Sequence, residues 1–204
     1  MPPADHPGPL VFVESLDDPV LSDADRHHLE RVRRIRAGSA ITMADGFGRW
    51  RTGVLAADLE TTGPVEEEPP PHPPLTIGFA LVKGDKPELI VQKLTELGID
   101  RVVPFRAERS VVRWDDEKAA KAVARLRTVA RSAASQCHRA RLPIIDELTD
   151  LRALAQEPGV AMADRDGDPP SLDHPVVLIG PEGGWAQEER TLGVPRVALG
   201  DHIL

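Results

Sequence analysis

Residues 176–185 read VVLIGPEGGW, four aliphatic residues followed by a turn with three glycines. A short apolar run of this kind is typical of a strand buried on both faces of a parallel sheet. Ligands bind at the carboxyl ends of strands in open α/β sheets, and glycines there let a ligand approach the backbone closely. The pattern matches neither the GxGxxG fingerprint nor a Walker loop. A tight strand-to-helix turn has the same glycine content, so the turn alone indicates only a candidate site.

The chain around this turn alternates between apolar runs and helical stretches. The apolar runs lie at 75–82, 102–105, 143–145, 160–163, 176–179 and 194–199. Strands that alternate with helices predict a parallel α/β sheet. The last run leads into LGDHIL at 199–204, a second turn that could form the adjacent wall of one pocket.

The first part of the chain has a different pattern. Short β-like runs at 10–13, 40–43 and 50–56 are separated by glycine-containing turns, and residues 23–36 are predicted to be helical. Residues 64–74 then read PVEEEPPPHPP, which cannot hold a helix or a central strand. The sequence therefore predicts a small β-rich domain at 1–68, a proline-rich linker at 69–74 and a larger domain at 75–204.

Composition predicts a globular protein rather than a disordered or membrane-spanning one. The chain has 204 residues, of which 41% are hydrophobic, enough for one large or two small domains. Its apolar runs are far shorter than the roughly 20 residues that a membrane-spanning helix needs, and the N-terminus has no signal-peptide core. A single cysteine, Cys137, excludes an internal disulfide. We therefore expect a soluble, cytoplasmic protein.

Two basic clusters stand out against a net charge of −8, which itself argues against non-specific coating of nucleic acid. The first has seven Lys or Arg and no Asp or Glu between Lys118 and Arg141, on a predicted helix. The second consists of Arg26, His27, His28, Arg31, Arg33, Arg34 and Arg36, opposed by Glu30. Solvated helix faces are the ordinary explanation of either cluster. Their concentration in an acidic chain favours RNA or another phosphate-rich ligand, which two patches could clamp.

Other candidate sites have simpler explanations. Residues 164–168, DRDGD, resemble the opening of a calcium loop, but Pro169 and Pro175 replace the glycine and glutamate that such a loop requires. We interpret this segment as a solvated acidic turn. Cys137 falls on the apolar stripe of the basic helix and is predicted to be buried. No metal site is expected.

Four blocks of the sequence resemble the RsmE family, the small-subunit ribosomal RNA uracil-N3 methyltransferases of the SPOUT class. In chain order they read HHLERVRRIRAG (27–38), LVKGDKPELIVQKLTELGI (81–99), AERSVVRW with SQCHRARLP (107–114, 135–143), and LIGPEGGW with VALGDHIL (178–185, 197–204). The resemblance covers nearly the whole chain. It implies an N-terminal PUA-like β-barrel and a C-terminal SPOUT α/β domain with a trefoil knot.

The resemblance also implies a reaction and its ligands. The methyl donor would be S-adenosylmethionine, and the acceptor would be N3 of a specific uridine in 16S ribosomal RNA, free or within the 30S subunit. A homodimer is implied, with no metal and no membrane. The residues expected to bind the cofactor are Ile179, Gly180, Glu182, Gly184, Leu199, Gly200, Ile203 and Leu204. The residues expected to bind RNA are Arg34, Lys83, Lys86, Arg139 and Arg141.

The chain departs from the family pattern at two places. Ser135 stands where the family usually has a glutamate. The family continues beyond Leu204 with a segment that contains Arg and Glu, and we expect the catalytic groups to lie there. Glu182 could favour the sulfonium electrostatically or merely cap a turn. A non-catalytic RNA-binding or ribosome-assembly factor with the same barrel and basic helix is the alternative function.

Overall fold

The structure is a computed structural model that describes residue 3, residues 8–27, residue 29 and residues 34–200. The chain divides into two compact units. The first contains Met1–Pro70 and Arg131–Leu142, and the second contains Pro71–Ala130 and Pro143–Leu204. The break after Pro70 falls within the proline-rich stretch. Residues 131–142, which the sequence pattern assigns to the second domain, belong instead to the first unit.

In the described residues of the first unit there is a five-stranded mixed sheet and a short helix. Its elements are β1 (Leu10–Phe12), α1 (Asp23–His27), β2 (Ala40–Ala44), β3 (Arg49–Leu55), β4 (Leu59–Thr61) and β5 (Glu66–Glu67). The sheet order is β1-β2-β3-β4, with β5 also paired to β3. Strand β1 is parallel to β2, and the other pairs are antiparallel. Closure of this sheet into a PUA-like barrel stays a prediction.

Both faces of this sheet are buried. Leu10 and Phe12 of β1 point to one face and Val11 to the other, as the two-residue period of a strand requires. The Val11 face carries a cluster of aliphatic side chains. The Leu10 face packs against Ala134 and Ala140, which is why residues 131–142 belong to this unit.

The second unit is a parallel α/β sheet of seven strands, as predicted. Its elements are β6 (Thr76–Ala80), α2 (Lys86–Glu96), β7 (Arg101–Arg106), α3 (Asp116–Gln136, shared with the first unit), β8 (Ile144–Ile145), β9 (Thr149–Asp150), α4 (Leu151–Leu154), β10 (Val160–Asp168), β11 (Val176–Ile179), α5 (Gln187–Arg190) and β12 (Arg196–Val197). The order is β12-β10-β11-β6-β7-β8, with β9 also paired to β7. Every pair is parallel.

The core of the second unit lies on both faces of this sheet. On one face, the Trp185 ring stacks on Phe105 with ring centroids 6.2 Å apart and planes 5° apart. On the other face, Val91 of α2 and Val123 of α3 are fully buried against strand side chains. No helix in the described part of the chain is long and apolar enough to cross a membrane.

Three local predictions are wrong. Residues 164–168 are not a solvated turn but the end of strand β10, because Asp168 pairs with Val197 of β12. Cys137 is exposed, because α3 ends at Gln136 and the residue leaves the helical stripe. The predicted helix 23–36 does not extend to Arg36, because Arg34 has a φ of 53°, which a right-handed helix does not allow.

Candidate functional site

The loops that follow three neighbouring strands meet at the carboxyl edge of the parallel sheet. Strands β11, β6 and β7 lie side by side and run in the same direction. The turn 180–186, the loop 81–85 and the loop 107–115 therefore lie at one edge. This edge is where open α/β sheets place their ligands.

The turn after β11 is built around a buried tryptophan. The indole Nε1–H of Trp185 donates a hydrogen bond of 2.8 Å to the Ala163 carbonyl. A Cβ at Gly180 would lie 2.9 Å from the Trp185 ring, so the glycine lets the ring pack. Gly184 has a φ of 67°, and a Cβ there would meet no atom within 4 Å. Gly180 thus has a packing role, whereas Gly184 borders open space.

Side chains from the start of α2 and from the loop 107–115 are bonded to this turn. The Nζ of Lys86 lies 2.7 Å from Oε1 of Glu182, and both side chains are exposed. Arg109 donates a hydrogen bond of 3.0 Å to the Gly183 carbonyl. The hydrogen bond from Lys86 holds the pKa of Glu182 below its usual range. Glu182 is therefore an ionised group whose charge a lysine partly neutralises.

Glu189 is a buried carboxylate that the sequence reasoning does not single out. It accepts a hydrogen bond of 2.8 Å from the backbone N–H of Ala186 and another of 2.8 Å from that of Glu108. The first bond caps α5, and the second ties the loop after β7 to the turn after β11. Its sequence signal is its place three residues after Ala186, the residue that precedes α5.

A pair of exposed carboxyl groups lies next to Glu189. The hydrogen bond and the negative charge of Glu188 raise the pKa of Glu108 above its usual range. The nearby charge of Glu189 adds to this shift, whereas Arg109 opposes it. Glu108 therefore holds its proton more tightly than a lone glutamate would.

The described part of the second predicted turn, residues 199–200, follows β12 at the same edge of the sheet. Leu199 is 46% exposed. Gly200 has a φ of 148°, and a Cβ there would meet no atom within 4 Å. Ile179, Gly180, Glu182 and Gly184 lie in or beside the first turn. Ile203 and Leu204 lie outside the described residues.

A pocket with a cationic lining opens beside the loops after β6 and β7. Its volume is about 440 Å³. We call it the α3 pocket, and its charged lining residues are Lys83, Asp85, Glu88, Lys118, Lys121 and Arg125. Lys121 and Arg125 form ion pairs of 2.6 and 2.8 Å with Glu117 and Glu88. The acid-free run 118–141 is the sequence signal for this pocket, although the sequence shows no cavity.

The predicted RNA-binding residues are divided between the two units. Lys83 and Lys86 lie in the second unit, and Arg34, Arg139 and Arg141 lie in the first. Arg34 is exposed, and Arg139 and Arg141 follow the end of α3. His28, Arg31 and Arg33 of the N-terminal basic cluster lie outside the described residues.

Arg141 has structural contacts within the first unit. Its guanidinium donates a hydrogen bond of 3.1 Å to the Glu68 carbonyl and lies against Gly48, where a Cβ would approach it to 2.3 Å. Ser135, the residue that departs from the family pattern, donates a hydrogen bond to the Leu10 carbonyl. Both residues therefore help to hold 131–142 on the sheet of the first unit.

Asp164, in the middle of the neighbouring strand β10, has a buried side chain that faces two cations. Its Oδ2 lies 2.9 Å from Nη1 of Arg190 and 3.8 Å from Nη1 of Arg196. The buried charge of Asp164 is therefore explained by ion pairs rather than by metal binding. Among the described residues, no group of three or more His, Cys, Asp or Glu is placed to hold a metal ion.

Comparisons with known proteins agree with this geometry. A family model described as an RNA methyltransferase domain matches residues 68–204. Ribosomal RNA small subunit methyltransferase E of Mycobacterium bovis is 30% identical over 227 residues, which cover 96% of this chain and 85% of the relative. The same enzyme from Bacillus subtilis is 35% identical over 139 residues, covering 64% of this chain and 53% of the relative.

Solved structures share the fold. The structure of ribosomal RNA small subunit methyltransferase E from Neisseria gonorrhoeae, bound to S-adenosyl methionine, superposes with a TM-score of 0.81 and 27% identity. The match covers 96% of this chain and 90% of that one. The predicted α/β class and the predicted family are confirmed. This chain belongs to the ribosomal RNA small subunit methyltransferase E family of RNA methyltransferases.

Proposed function

We propose that this protein transfers a methyl group from S-adenosylmethionine to N3 of one specific uridine in 16S ribosomal RNA, and that it acts as a homodimer in the cytoplasm. One observation carries the proposal. The turn 180–186, residues 199–200 and the cationic α3 pocket lie at the same carboxyl edge of a parallel sheet. Family membership supports the reaction class.

The residues of the two turns fit the cofactor. Open space at Gly184 lets a ligand approach backbone N–H and carbonyl groups, and the exposed Leu199 offers an apolar contact. When bound, S-adenosylmethionine supplies a methyl group on a positively charged sulfur. Glu182 is ionised near this site and favours that charge, but its ion pair with Lys86 weakens the effect.

The acceptor base requires cations close to it, and the α3 pocket is lined by cations. N3 of uracil carries a proton at neutral pH and is used in base pairing, so the base must be unpaired and must lose that proton. Cations near the ring stabilise the resulting uracil anion, and cations further out hold phosphates. Lys83 and Lys118 line the pocket and suit these tasks, with Lys86 close by at the start of α2.

Calorimetry with S-adenosylmethionine separates this enzyme from a non-catalytic RNA-binding or ribosome-assembly factor. We expect saturable binding and a methyl group transferred to 30S subunits that lack the modification. Leu199→Arg fills the apolar side of the proposed cofactor site and is expected to weaken cofactor binding without weakening RNA binding. RNA binding by the parent protein with no measurable cofactor affinity would contradict the proposal.

A further inference from the structure

One aromatic side chain of this protein is exposed. The chain has four Phe, three Trp and no Tyr, and all seven lie in the described part of the structure. Six of these seven side chains are buried, with exposures of 9% or less. Phe47 is 76% exposed. Burial stabilises a Phe side chain by about 1.5–3 kcal/mol, and Phe47 lacks most of this stabilisation.

The turn that carries Phe47 is held in one conformation. Oδ1 of Asp45 accepts hydrogen bonds from the backbone N–H groups of Phe47, at 2.7 Å, and Arg49, at 3.1 Å. Gly46 and Gly48 flank the ring with φ angles of 83° and 99°, which favour glycine. The ring is therefore presented by a preorganised backbone, which lowers the entropy lost when a ligand binds it.

A second segment of the first unit buttresses this turn. The Leu142 N–H donates a hydrogen bond of 2.9 Å to the Gly46 carbonyl. Arg141 forms β-bridges with Gly46 and Phe47, and its guanidinium packs against Gly48. The turn thus has partners on its inner side, whereas the Phe47 ring points away from them into solvent.

Charged residues flank the turn that carries the ring. Arg49 is exposed two residues after Phe47, and Arg141 forms β-bridges with Gly46 and Phe47. Glu66 and Glu67 are on strand β5, with Glu67 opposite Arg49. An exposed aromatic ring with guanidinium groups nearby is the combination that holds unpaired bases and their phosphates in single-stranded RNA.

We propose that Phe47 is an RNA-contact residue whose ring stacks on an unpaired base of the ribosomal RNA substrate. This inference rests on the proposed function, because it takes RNA as the ligand. It assigns a base contact to the first unit, where the residues expected to bind RNA are Arg34, Arg139 and Arg141. Stacking tolerates any base, so Phe47 contributes affinity and positioning rather than sequence selection.

The test compares Phe47→Ala and Phe47→Leu with the parent, using a short single-stranded oligouridine in the absence of cofactor. Loss of base stacking is expected to weaken binding by about 5- to 100-fold in Phe47→Ala. Leucine keeps apolar area but has no aromatic face, so Phe47→Leu is expected to bind nearly as weakly. Phe47→Trp is expected to bind at least as tightly as the parent, with indole fluorescence quenched by RNA.

Two controls distinguish stacking from other effects. An oligomer of the same length without bases should bind the parent and Phe47→Ala equally. The salt dependence of binding should be unchanged in Phe47→Ala, because no phosphate contact is lost. Thermal unfolding should also be unchanged, since the side chain is exposed.

Equal RNA affinity of the parent, Phe47→Ala and Phe47→Leu would overturn the inference while leaving the proposed methyl transfer intact. Wild-type affinity of Phe47→Leu alone would also overturn it, because an apolar contact would then suffice. If the parent self-associates and Phe47→Ala abolishes this self-association without changing RNA affinity, the ring contacts a second copy of the chain instead of RNA. If the parent bound RNA through Phe47 but transferred no methyl group, this inference would stand and the proposed enzymatic function would be contradicted.

Discussion

Gly180 shows how a single residue in the predicted site has a role that its sequence context does not reveal. The sequence context suggests that this glycine lets a ligand approach the backbone. In the structure, a Cβ at Gly180 would lie only 2.9 Å from the buried Trp185 ring. We expect Gly180→Ala to lower the free energy of unfolding by about 1–3 kcal/mol through overpacking. Urea denaturation measures this change.

The matched control is Gly183→Ala in the same turn. A Cβ at Gly183 would lie 3.5 Å from Cβ of Arg109, an ordinary contact. Its effect on the free energy of unfolding should stay within about 0.5 kcal/mol. If Gly180→Ala were as stable as Gly183→Ala, the packing role assigned to Gly180 would be wrong.

The carboxyl pair of Glu108 and Glu188 makes a pH prediction. Glu188 raises the pKa of Glu108, so the folded state holds this proton more tightly than the unfolded state does. The contribution of Glu108 to stability is therefore greatest below its unfolded pKa and is lost as the pH rises through the raised folded pKa. Glu188→Gln should lower the pKa of Glu108 toward its ordinary value, as measured by NMR titration of the side-chain carboxyl carbon.

The same substitution at another carboxylate provides the comparison. Glu117→Gln removes an exposed acid that pairs with Lys121 on α3, outside this carboxyl pair. The pKa of Glu108 should not move in that variant. An unchanged Glu108 pKa in Glu188→Gln would show that the two carboxyl groups do not interact.

At the scale of elements, the turn between β2 and β3 and the segment after α3 support one another. The Arg141 guanidinium bonds to the Glu68 carbonyl and packs on Gly48, whereas Arg34 is exposed. Arg141→Ala is therefore expected to lower the free energy of unfolding by about 1–3 kcal/mol as well as to weaken RNA binding. Arg34→Ala should leave stability unchanged.

A salt series gives the RNA side of this comparison. If Arg34 contacts a phosphate, Arg34→Ala should reduce the slope of log affinity against log salt by about 0.7–0.9. Affinity and slope equal to those of the parent would remove Arg34 from the proposed RNA contacts. A fully stable Arg141→Ala protein would contradict the structural role of Arg141.

The proposed role of the α3 pocket in methylation is also tested at the scale of elements. Lys83 lies on the loop after β6 and lines the pocket. Lys83→Ala is expected to lower kcat/KM for methylation by about 10-fold or more, because a cation near the developing uracil anion is lost. Arg152→Ala, an exposed cation on α4 outside the pocket lining, is the control. Equal losses in the two variants would indicate a general charge effect instead.

At the scale of the whole molecule, sequence patterns predict the parallel sheet well, because buried parallel strands are continuous apolar runs. The run 176–179 coincides with β11, and 102–105 lies within β7. The assignment of residues 131–142 could not be predicted, because it depends on Ala134 and Ala140 covering a sheet that is remote in sequence. Strand β10 extends through the polar segment 164–168 because of pairing with β12 and the ion pairs of Asp164.

In the candidate site, too, local features can be predicted from the sequence and contacts between distant segments cannot. Glycine-rich turns after apolar runs predict its position, since that signal is local. The role of Glu189 depends on the Glu108 N–H, which is 81 residues away in sequence, and the α3 pocket depends on two loops and two helices that meet. Such contacts between distant segments have no local sequence signal.

The most direct test of the account is mass mapping of 16S ribosomal RNA in 30S subunits that lack the modification, after incubation with the purified protein and methyl-labelled S-adenosylmethionine. The account predicts one labelled position, a uridine that carries the methyl group on N3. Labelling of a different base or of a different atom of uracil would contradict the proposed reaction. Absence of any label from a protein that binds the same 30S subunits would contradict the proposed enzyme.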